Sequence, residues 1–554
     1  MPPGIGGATV TRFSRAAYGW RTIVTKEFAK DGQFNLKKLD KLIEKVLVAY
    51  GDDSVGELEG ALVRLENISN LAIKEIEDCR IGVAYIEQSS RYVFYNQKDT
   101  AGNFRYLKDK TKNPIMNSEY KEEYVKTMDK LFQTYCDLIA PMTDYFKKLK
   151  PITEATYDIK GTGEQLKLAA LTDENDRNAW LTTYNFDIKT KACDTIRGPL
   201  PAATLSNVAL FCNGRAYQNL LTKLYSSDVP EFKIRGEELH YELNKVIPRF
   251  VERAKPNGYI METRKTMQRL VNSIFDKKNV KLTEDVTLLD NGIRFIAEAL
   301  AKDLNKYFEG KFSGNISGLL ERELPKDLIK RFEKEFEIRQ IAVMLYKYTE
   351  HSMEQIINIV RELPEEKRKE IYCTYIGDRN SRRDKPGRAL EYGYPLLYDL
   401  VESFGIYRDL QRHRMLTQER QKLTTRLGFS IPEEINEAGF EDKLVENYET
   451  ASNLYEKIRT AMGNEIAQYV VPFGFNVRWY MGMNDREAMH MLELRTGKQG
   501  HPNYSLMCQK MHQKLKEQSE TRASSMKFVD YNNYYWSRAD SEARQRVKER
   551  KLNS

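Results

Sequence analysis

Arg412-His413-Arg414, followed 72 residues on by Asn484-Asp-Arg-Glu-Ala-Met-His490-Met-Leu-Glu-Leu-Arg495, decides how this chain is read. Three adjacent cationic or switchable side chains are costly to hold together unless an anion neutralises them. The second segment has the apolar spacing of a helix. Asn484 and Arg495 are eleven residues apart. That is close to three turns, so both lie on one face, roughly 16 Å apart. A dinucleotide-sized anion beside a nucleotide spans such a distance. Taken alone, the tripeptide reads more readily as a surface basic patch, and it gains meaning only from the segments around it.

The wider composition narrows the classes. A chain of 554 residues favours two to four domains with ample core. With 41% hydrophobic and 30% charged residues it is globular rather than disordered. No run of about eighteen apolar residues occurs, which argues against a membrane span. The start, Met1-Pro-Pro-Gly-Ile-Gly-Gly, lacks a basic region followed by an apolar core, so no secretory signal is expected. Cysteines 79, 136, 193, 212, 373 and 508 are scattered without a Cys-x-x-Cys. That fits a reducing, cytoplasmic setting and gives no sign of a structural metal site. A net charge of +8 is mild for this length. It fits solubility, or the binding of several polyanionic small molecules. A nucleic-acid partner would call for a dense basic stripe. The nearest runs, Lys548-Glu-Arg-Lys551 and Glu365-Glu-Lys-Arg-Lys369, read as solvated faces or tails. Four of the six histidines lie between 413 and 512, the motif region.

The chain repeats itself faintly. Asn213-Gly-Arg-Ala-Tyr-Gln-Asn219-Leu-Leu parallels Asn484-Asp-Arg-Glu-Ala-Met-His490-Met-Leu. Upstream, Asp53-Ser-Val-Gly-Glu57-Leu58 parallels Arg388-Ala-Leu-Glu391-Tyr392. Each is followed some twenty residues later by a short segment, Cys79-Arg80-Ile81 in one half and Arg412-His413-Arg414 in the other. The common order reads as duplication followed by divergence. From Cys79 to Asn213 there are 134 residues, against 72 from Arg412 to Asn484. The first half therefore carries an insertion of about sixty residues between Gln97 and Ala202, including a polar stretch at Lys150–Lys191.

Apolar spacing predicts helices over Phe34–Tyr50, Tyr120–Phe146, Glu237–Ala254, Thr263–Phe275 and Asn291–Tyr307. It predicts others over Pro325–Tyr348, Glu350–Leu363, Phe440–Gln468 and Met507–Gln518. Alternation predicts strands over Ala61–Glu66 and Pro395–Glu402. Pro256-Asn-Gly is a turn signal that opens the stretch joining the halves.

The segment Tyr85-Ile-Glu87-Gln88-Ser89-Ser90-Arg91-Tyr92 is rich in partners for an anion and a uracil. Serine hydroxyls and an arginine fork suit a phosphate, and Glu87 suits a ribose hydroxyl. An ordinary polar loop is the other reading of these residues. Taken with the Arg-His-Arg tripeptide and the Asn…Arg helix, the segment resembles the flavin-dependent thymidylate synthases. In that family Arg-His-Arg opens the flavin motif, a Glu-Gln-Ser-Ser-Arg-Tyr-like loop binds substrate, and an arginine closing an Asn-initiated helix activates the nucleotide.

The two halves depart from this pattern in opposite ways. The first keeps the loop but has Cys79-Arg80-Ile81 in place of Arg-His-Arg and Leu224 in place of the activating arginine. The second keeps Arg412, His413, Arg414 and Arg495, but Lys422 stands where the family has a loop serine. Thr424-Thr425-Arg426 is either a counterpart shifted by two residues or a sign that this loop is lost. Glu57-Leu58 and Glu391-Tyr392 lack the histidine of the family's Glu-His, and Asp409 replaces a glutamine. No flavin or substrate role is carried to those positions. The aromatic cluster Tyr531, Tyr534, Tyr535 and Trp536 reads as packing, with folate or nicotinamide stacking as the alternative.

The resemblance implies an α/β fold of two tandem, diverged copies, each a central antiparallel or mixed sheet with flanking helices. The division expected is a first domain over residues 1–255, a linker over 256–292 and a second domain over 293–554. It implies FAD-dependent methylation of dUMP to dTMP, with methylenetetrahydrofolate giving the carbon and NADPH the electrons. Arg495 would be the catalytic residue and no metal would take part. Arg412, His413, Arg414, Asn484, Arg486 and His490 would hold FAD. Glu87, Gln88, Ser89, Ser90, Arg91, Arg412 and Arg495 would hold dUMP, in one composite site that uses both halves. A homodimer would make a pseudo-tetramer, with no nucleic acid or membrane partner. Alternatives are one-carbon transfer to another pyrimidine nucleotide, or a nucleotide-binding relative without catalysis.

Overall fold

The computed structural model of the protein describes residues 56–275, 284–290, 326–346 and 353–536 apart from 378, 382–385 and 394, with short stretches near each end and single residues at 41 and 351. The predicted helix Asn291–Tyr307 and nearly all of Phe34–Tyr50 lie outside the described residues, as do residues 276–283 and 291–292 of the expected linker.

In the first half, strand β1 (Gly60–Ser69) runs into helix α1 (Asn70–Glu77). The Ser69 hydroxyl starts that helix by accepting from the Ala72 N–H (3.0 Å), the usual device for an orphan amide at a helix start. Strand β2 (Val83–Glu87) follows. Long helix α2 (Lys121–Leu149) comes next, then strand β3 (Leu205–Asn213) and helix α3 (Gly214–Tyr225). The three strands form an antiparallel sheet in the order β1-β3-β2. The side chain of Asn213 caps α3 by accepting from the Ala216 N–H (2.8 Å).

The second half uses the same plan. Strand β4 (Val286–Asp290) is an added edge. Strand β5 (Leu396–Ser403) leads into helix α4 (Phe404–Leu410), and strand β6 (Thr417–Arg420) follows. Then come long helix α5 (Glu441–Met462), strand β7 (Asn476–Met483) and helix α6 (Asp485–Arg495). The sheet order is β6-β7-β5-β4, with β6–β7 and β5–β4 antiparallel. In both halves the strand that follows the long helix is central, and it delivers an Asn-capped helix.

The fold is thus mixed α/β with small antiparallel sheets, as the resemblance implied. Helices occur at Lys121–Leu149, Gly258–Phe275, Lys326–Tyr346, Met353–Glu362 and Pro502–Gln518, close to prediction. Two predicted helices are shorter than expected. Glu237–Ala254 divides into Pro230–Asn244 and a single turn, Pro248–Val251, because Pro248 has no N–H to continue the ladder. Phe440–Gln468 ends at Met462, where Gly463 takes a φ of +87°, a helix stop that glycine adopts freely.

The chain forms two compact units, one from Met1–Tyr145, Ala192–Leu282 and Lys422–Asn476, the other from Phe146–Lys191, Thr283–Gln421 and Val477–Ser554. In the first unit α2 and α5 pair antiparallel: Glu123 meets Lys457 (2.7 Å), Lys130 meets Glu446 (2.7 Å) and Asp137 meets Lys443 (2.7 Å). These exposed pairs contribute little each. The buried centre of the pairing is Asn447, which donates to the Thr134 hydroxyl (2.7 Å), beside fully buried Tyr448. In the second unit, part of the polar insertion is ordered. A short hairpin (Thr156–Tyr157 with Leu166–Lys167) sits by Trp180, which stacks on Tyr184 at 5.6 Å. The C-terminal aromatics pack here too. Trp536 meets Phe146 edge-on at 6.1 Å, and Lys191 lies 3.7 Å from the Tyr535 ring centre. Among the described residues no helix is long and apolar enough to cross a membrane.

Tyr448 reaches between two chain segments joined where the Gly474 N–H donates to the Gly198 carbonyl (2.9 Å). A Cβ on Gly198 would stand 2.5 Å from the tyrosine oxygen, and that buried hydroxyl has no hydrogen-bond partner. Gly198→Ala should destabilise the protein by roughly 1–3 kcal/mol, an overpacking cost. Tyr448→Phe should be neutral or stabilising by about 1 kcal/mol, since it removes an unsatisfied group. Denaturant midpoints of the two variants check both.

Candidate active site

Arg412, His413 and Arg414 do not lie on a helix. Helix α4 ends at Leu410, and the tripeptide runs on to β6. Arg412 and Arg414 are exposed and His413 is buried. The His413 N–H donates to the Leu410 carbonyl (3.2 Å) in the turn that closes α4, so the chain leaves the helix here with the imidazole inward and the two flanking arginines exposed.

The buried histidine meets helix α6. Asn484 caps that helix as its sequence predicted, accepting from the Glu487 N–H (3.0 Å). From the far end Arg495 donates its Nε–H to His413 Nε2 (2.8 Å). An Nε2 that accepts leaves the ring proton on Nδ1, which faces the Glu487 carboxylate at 3.2 Å. Burial holds the His413 pKa well below its ordinary value, and the Arg495 charge lowers it further. His490 crosses His413 edge-on, ring centres 5.9 Å apart. Arg495 also lies over the Tyr504 ring at 5.3 Å. Among the described residues no carboxylate pairs with Arg495.

Three other cations nearby are engaged by carboxylates. Arg379 forms a bidentate pair with Glu493 (2.7 and 2.5 Å), both nearly inaccessible. Arg522 is clamped to Asp485 in the same way. Arg486 pairs with Glu391. That last contact has a twin, because Arg215 pairs with Glu57 (2.6 Å) at the matching positions of the first half. The tie is present in the half that lacks Arg-His-Arg, so it belongs to the frame of the module.

A cavity of about 310 Å³ opens over α6, bounded by Asn484, Arg486, Glu487 and His490 with the thioethers of Met415 and Met489. It brings together Asn484, Arg486 and His490 of the expected flavin set, and Arg414 directly precedes Met415. The volume is at the lower end for a small-molecule pocket, room for one ring system. The thioethers and imidazole give a flat ring an apolar, polarisable wall, and Asn484 and Arg486 offer polar contacts at its edge. The residues present therefore fit the ring portion of a flavin.

In the other unit, the predicted substrate loop is held tightly. Glu87 is buried and accepts from Lys74 Nζ (2.7 Å), which also pairs with Glu77 (2.5 Å). Gln88 accepts from Asn207 (2.8 Å). The Ser89 hydroxyl accepts from the Arg91 N–H (3.2 Å), and Ser90 is buried. The Arg91 fork grips Asp194 through two bonds of 2.7 Å. An incoming phosphate would have to share this fork with Asp194 or displace it. In the second half, Arg426 pairs with Glu456 through two 2.6 Å bonds, and Lys422 pairs with Glu465 (2.6 Å).

Sequence reasoning missed Glu487, Arg379, Glu493 and Asp194. A signal existed only for Glu487, an acidic residue three positions after a helix-capping Asn. The other three meet their partners through tertiary packing alone.

Residues 7–249 and 328–519 match the family described as thymidylate synthase complementing protein. Proteins described as UPF0159 protein are similar over nearly the whole chain. One from Chlamydia muridarum is 32% identical, covering 99% of this chain and 94% of the relative. One from Thermoplasma acidophilum is 28% identical and covers 98% of each. Among solved structures, a UMP/dUMP methylase from Streptomyces cacaoi bound with 5-Br dUMP covers 34% of this chain and 90% of its own. Its identity is 15% and its TM-score 0.28, too loose a likeness to carry an argument.

The depressed His413 pKa has a definite sign. In the unfolded chain the imidazole titrates near 6.5, and in the folded protein it titrates lower. The unfolded state therefore binds more protons below about pH 6.5. The contribution is complete above that pH and is lost as pH falls towards the folded value. Denaturant midpoints should drop as pH falls below about 6.5, and His413→Gln should remove that part of the slope.

Proposed function

Because the chain belongs to the thymidylate synthase complementing protein family, we propose that it methylates dUMP to dTMP with FAD as cofactor, methylenetetrahydrofolate as carbon donor and NADPH as reductant. The balance is dUMP, methylenetetrahydrofolate, NADPH and a proton giving dTMP, tetrahydrofolate and NADP⁺. The methylene carbon replaces the C5 hydrogen, and the electron pair of NADPH brings it to a methyl. A bound FAD supplies the carrier for that pair.

The observation that carries this reading is Arg495. Its charge is held in place by a neutral imidazole and not by a carboxylate, so its field is available to a ligand. The C-terminal end of α6 is where a cation is also favoured by the helix dipole. A planar guanidinium beside N3 and an adjacent carbonyl of uracil favours the ring with N3 deprotonated, which enriches C5 in electrons. No thiolate is needed for this. Burial pushes the Cys508 thiol up to about 12 even though the Arg495 charge acts to lower it, so it stays protonated and is not a nucleophile.

Arg412 and Arg414 are exposed on either side of buried His413 and would take the pyrophosphate of FAD. Asn484 and His490 would meet its ring, with Arg486 reaching it from the Glu391 pair. Within the first unit Ser89, Ser90 and Arg91 would hold a dUMP phosphate, with Glu87 and Gln88 organising the loop; within the second, Arg412 and Arg495 are the groups that would contact the nucleotide. The roles are then divided between the two halves of the sequence. A duplicated module, in which each copy has kept what the other lost, accounts for this and for the twice-used strand order. A homodimer would supply four modules. A second reading, a nucleotide-binding relative without turnover, is favoured by one contact, the closed Arg91–Asp194 fork.

The purified protein should show the visible bands of oxidised flavin, shifted by dUMP, and should form dTMP from labelled methylenetetrahydrofolate. Flavin without NADPH oxidation would support the second reading. Arg495→Ala should keep flavin and lower turnover by about 10²–10³-fold, the loss expected of one preorganised donor; full activity would remove its role. Arg414→Ala should purify with little flavin. Arg91→Ala should weaken dUMP binding by about 1–3 kcal/mol, as for a charge-assisted hydrogen bond, and an unchanged dissociation constant would exclude it from the site.

A further inference from the structure

We propose that Glu487 is a positioning residue for Arg495, acting through His413. The proposal rests on the reading of Arg495 as the nucleotide-activating group. It adds a device that fixes which way that group points.

The geometry is a linear relay. The Glu487 carboxylate faces His413 Nδ1 at 3.2 Å, and His413 Nε2 accepts from Arg495 Nε at 2.8 Å. A neutral imidazole donates from one nitrogen and accepts at the other. A carboxylate beside Nδ1 holds the proton there and so keeps Nε2 free to accept. Were the proton on Nε2, two donors would face each other and Arg495 would be pushed away. Binding Arg495 through Nε leaves both terminal nitrogens of the guanidinium, the planar fork, for a ligand. A carboxylate in place of the imidazole would have taken the fork, as Glu493 takes that of Arg379.

The first half provides an internal control. At the three matching positions it has Ala216, Arg80 and Leu224 for Glu487, His413 and Arg495. None of the three groups survives there. The Glu57–Arg215 tie of the same module does survive, matching Glu391–Arg486. The relay therefore changes as one set, while a neighbouring ion pair of the frame is kept. A role for Glu487 in helix packing alone would not link it to an imidazole and a guanidinium in this way.

The test uses full-length protein labelled with ¹⁵N-histidine, together with steady-state kinetics. In the wild type His413 should show the neutral Nδ1–H tautomer. Glu487→Gln keeps an acceptor for Nδ1–H and should keep both the tautomer and kcat within about threefold. Glu487→Ala should shift the tautomer towards Nε2–H and lower kcat about 10- to 100-fold, the range for a lost hydrogen bond to a charged group, with flavin content retained. His413→Gln offers Arg495 an acceptor that needs no help, so in that background Glu487→Ala should have little further effect. An Nε2–H tautomer in the wild type overturns the proposal, as does a flavin-loaded Ala variant with unchanged kcat or a Gln variant as impaired as Ala. Should the Ala variant not fold, the wild-type tautomer and the Gln variant still decide. If the wild type makes no dTMP, the assigned function fails, and the tautomers decide the relay separately.

Discussion

The site depends on one hydrogen bond, from a guanidinium to a neutral imidazole. Arginine in a protein interior ordinarily meets a carboxylate, and Arg91, Arg379 and Arg522 all do so here. Such a pair is locally neutral and has little left to offer a ligand. Arg495 is supported by His413, so its position is defined without its charge being cancelled. The histidine can play this part only if it stays uncharged beside a cation. Burial and the arginine itself both favour that form. Ordering a cation in this way has an energetic cost that a carboxylate partner would have avoided, and local rules broken in this manner concentrate where function is carried.

The frame that holds the bond is used twice. A strand leads into a helix, a second strand returns, a long helix follows, and a central strand delivers an Asn-capped helix beside a Glu–Arg tie. The tie is about half-exposed in the first half, where it is worth little as stability. Its recurrence is better explained by register. It links the segment ahead of β1 in one half, and of β5 in the other, to the start of the Asn-capped helix. On this shared frame the halves differ at single side chains: Ala216 against Glu487, and Leu224 against Arg495.

Periodicity and capping made much of this legible. Asn484 and Arg495 bound an eleven-residue interval, and the helix between them begins and ends where that spacing requires. The strand after Pro395 and the long helices were likewise visible as apolar patterns. The central strands β3 and β7 were not, because they are enclosed by neighbours and were not picked out by a simple alternation. The course of Arg412–Arg414 was not legible for a different reason. Three polar residues carry no periodic signal, and their path is set by the turn in which the His413 N–H bonds back to the Leu410 carbonyl. Glu487 was missed because its importance arises from the far side of the histidine, a contact made between residues 74 positions apart.

The contrast between open and closed arginines bears on how a ligand is recognised. An anion approaching Arg91 meets a fork already satisfied by Asp194 and must offer more than the carboxylate does. A dianionic phosphate, with more charge and more acceptor oxygens, is better equipped for that exchange than a singly charged group. An anion approaching Arg495 displaces no carboxylate. A polarised carbonyl or a ring nitrogen bearing partial charge is enough to engage it. Under the proposed function the closed fork would select for full charge and the open one would respond to charge that develops on a ring. Electrostatic help of the second kind is effective in catalysis because the donor is in place before the charge forms, and a guanidinium fixed through Nε by an imidazole meets that condition.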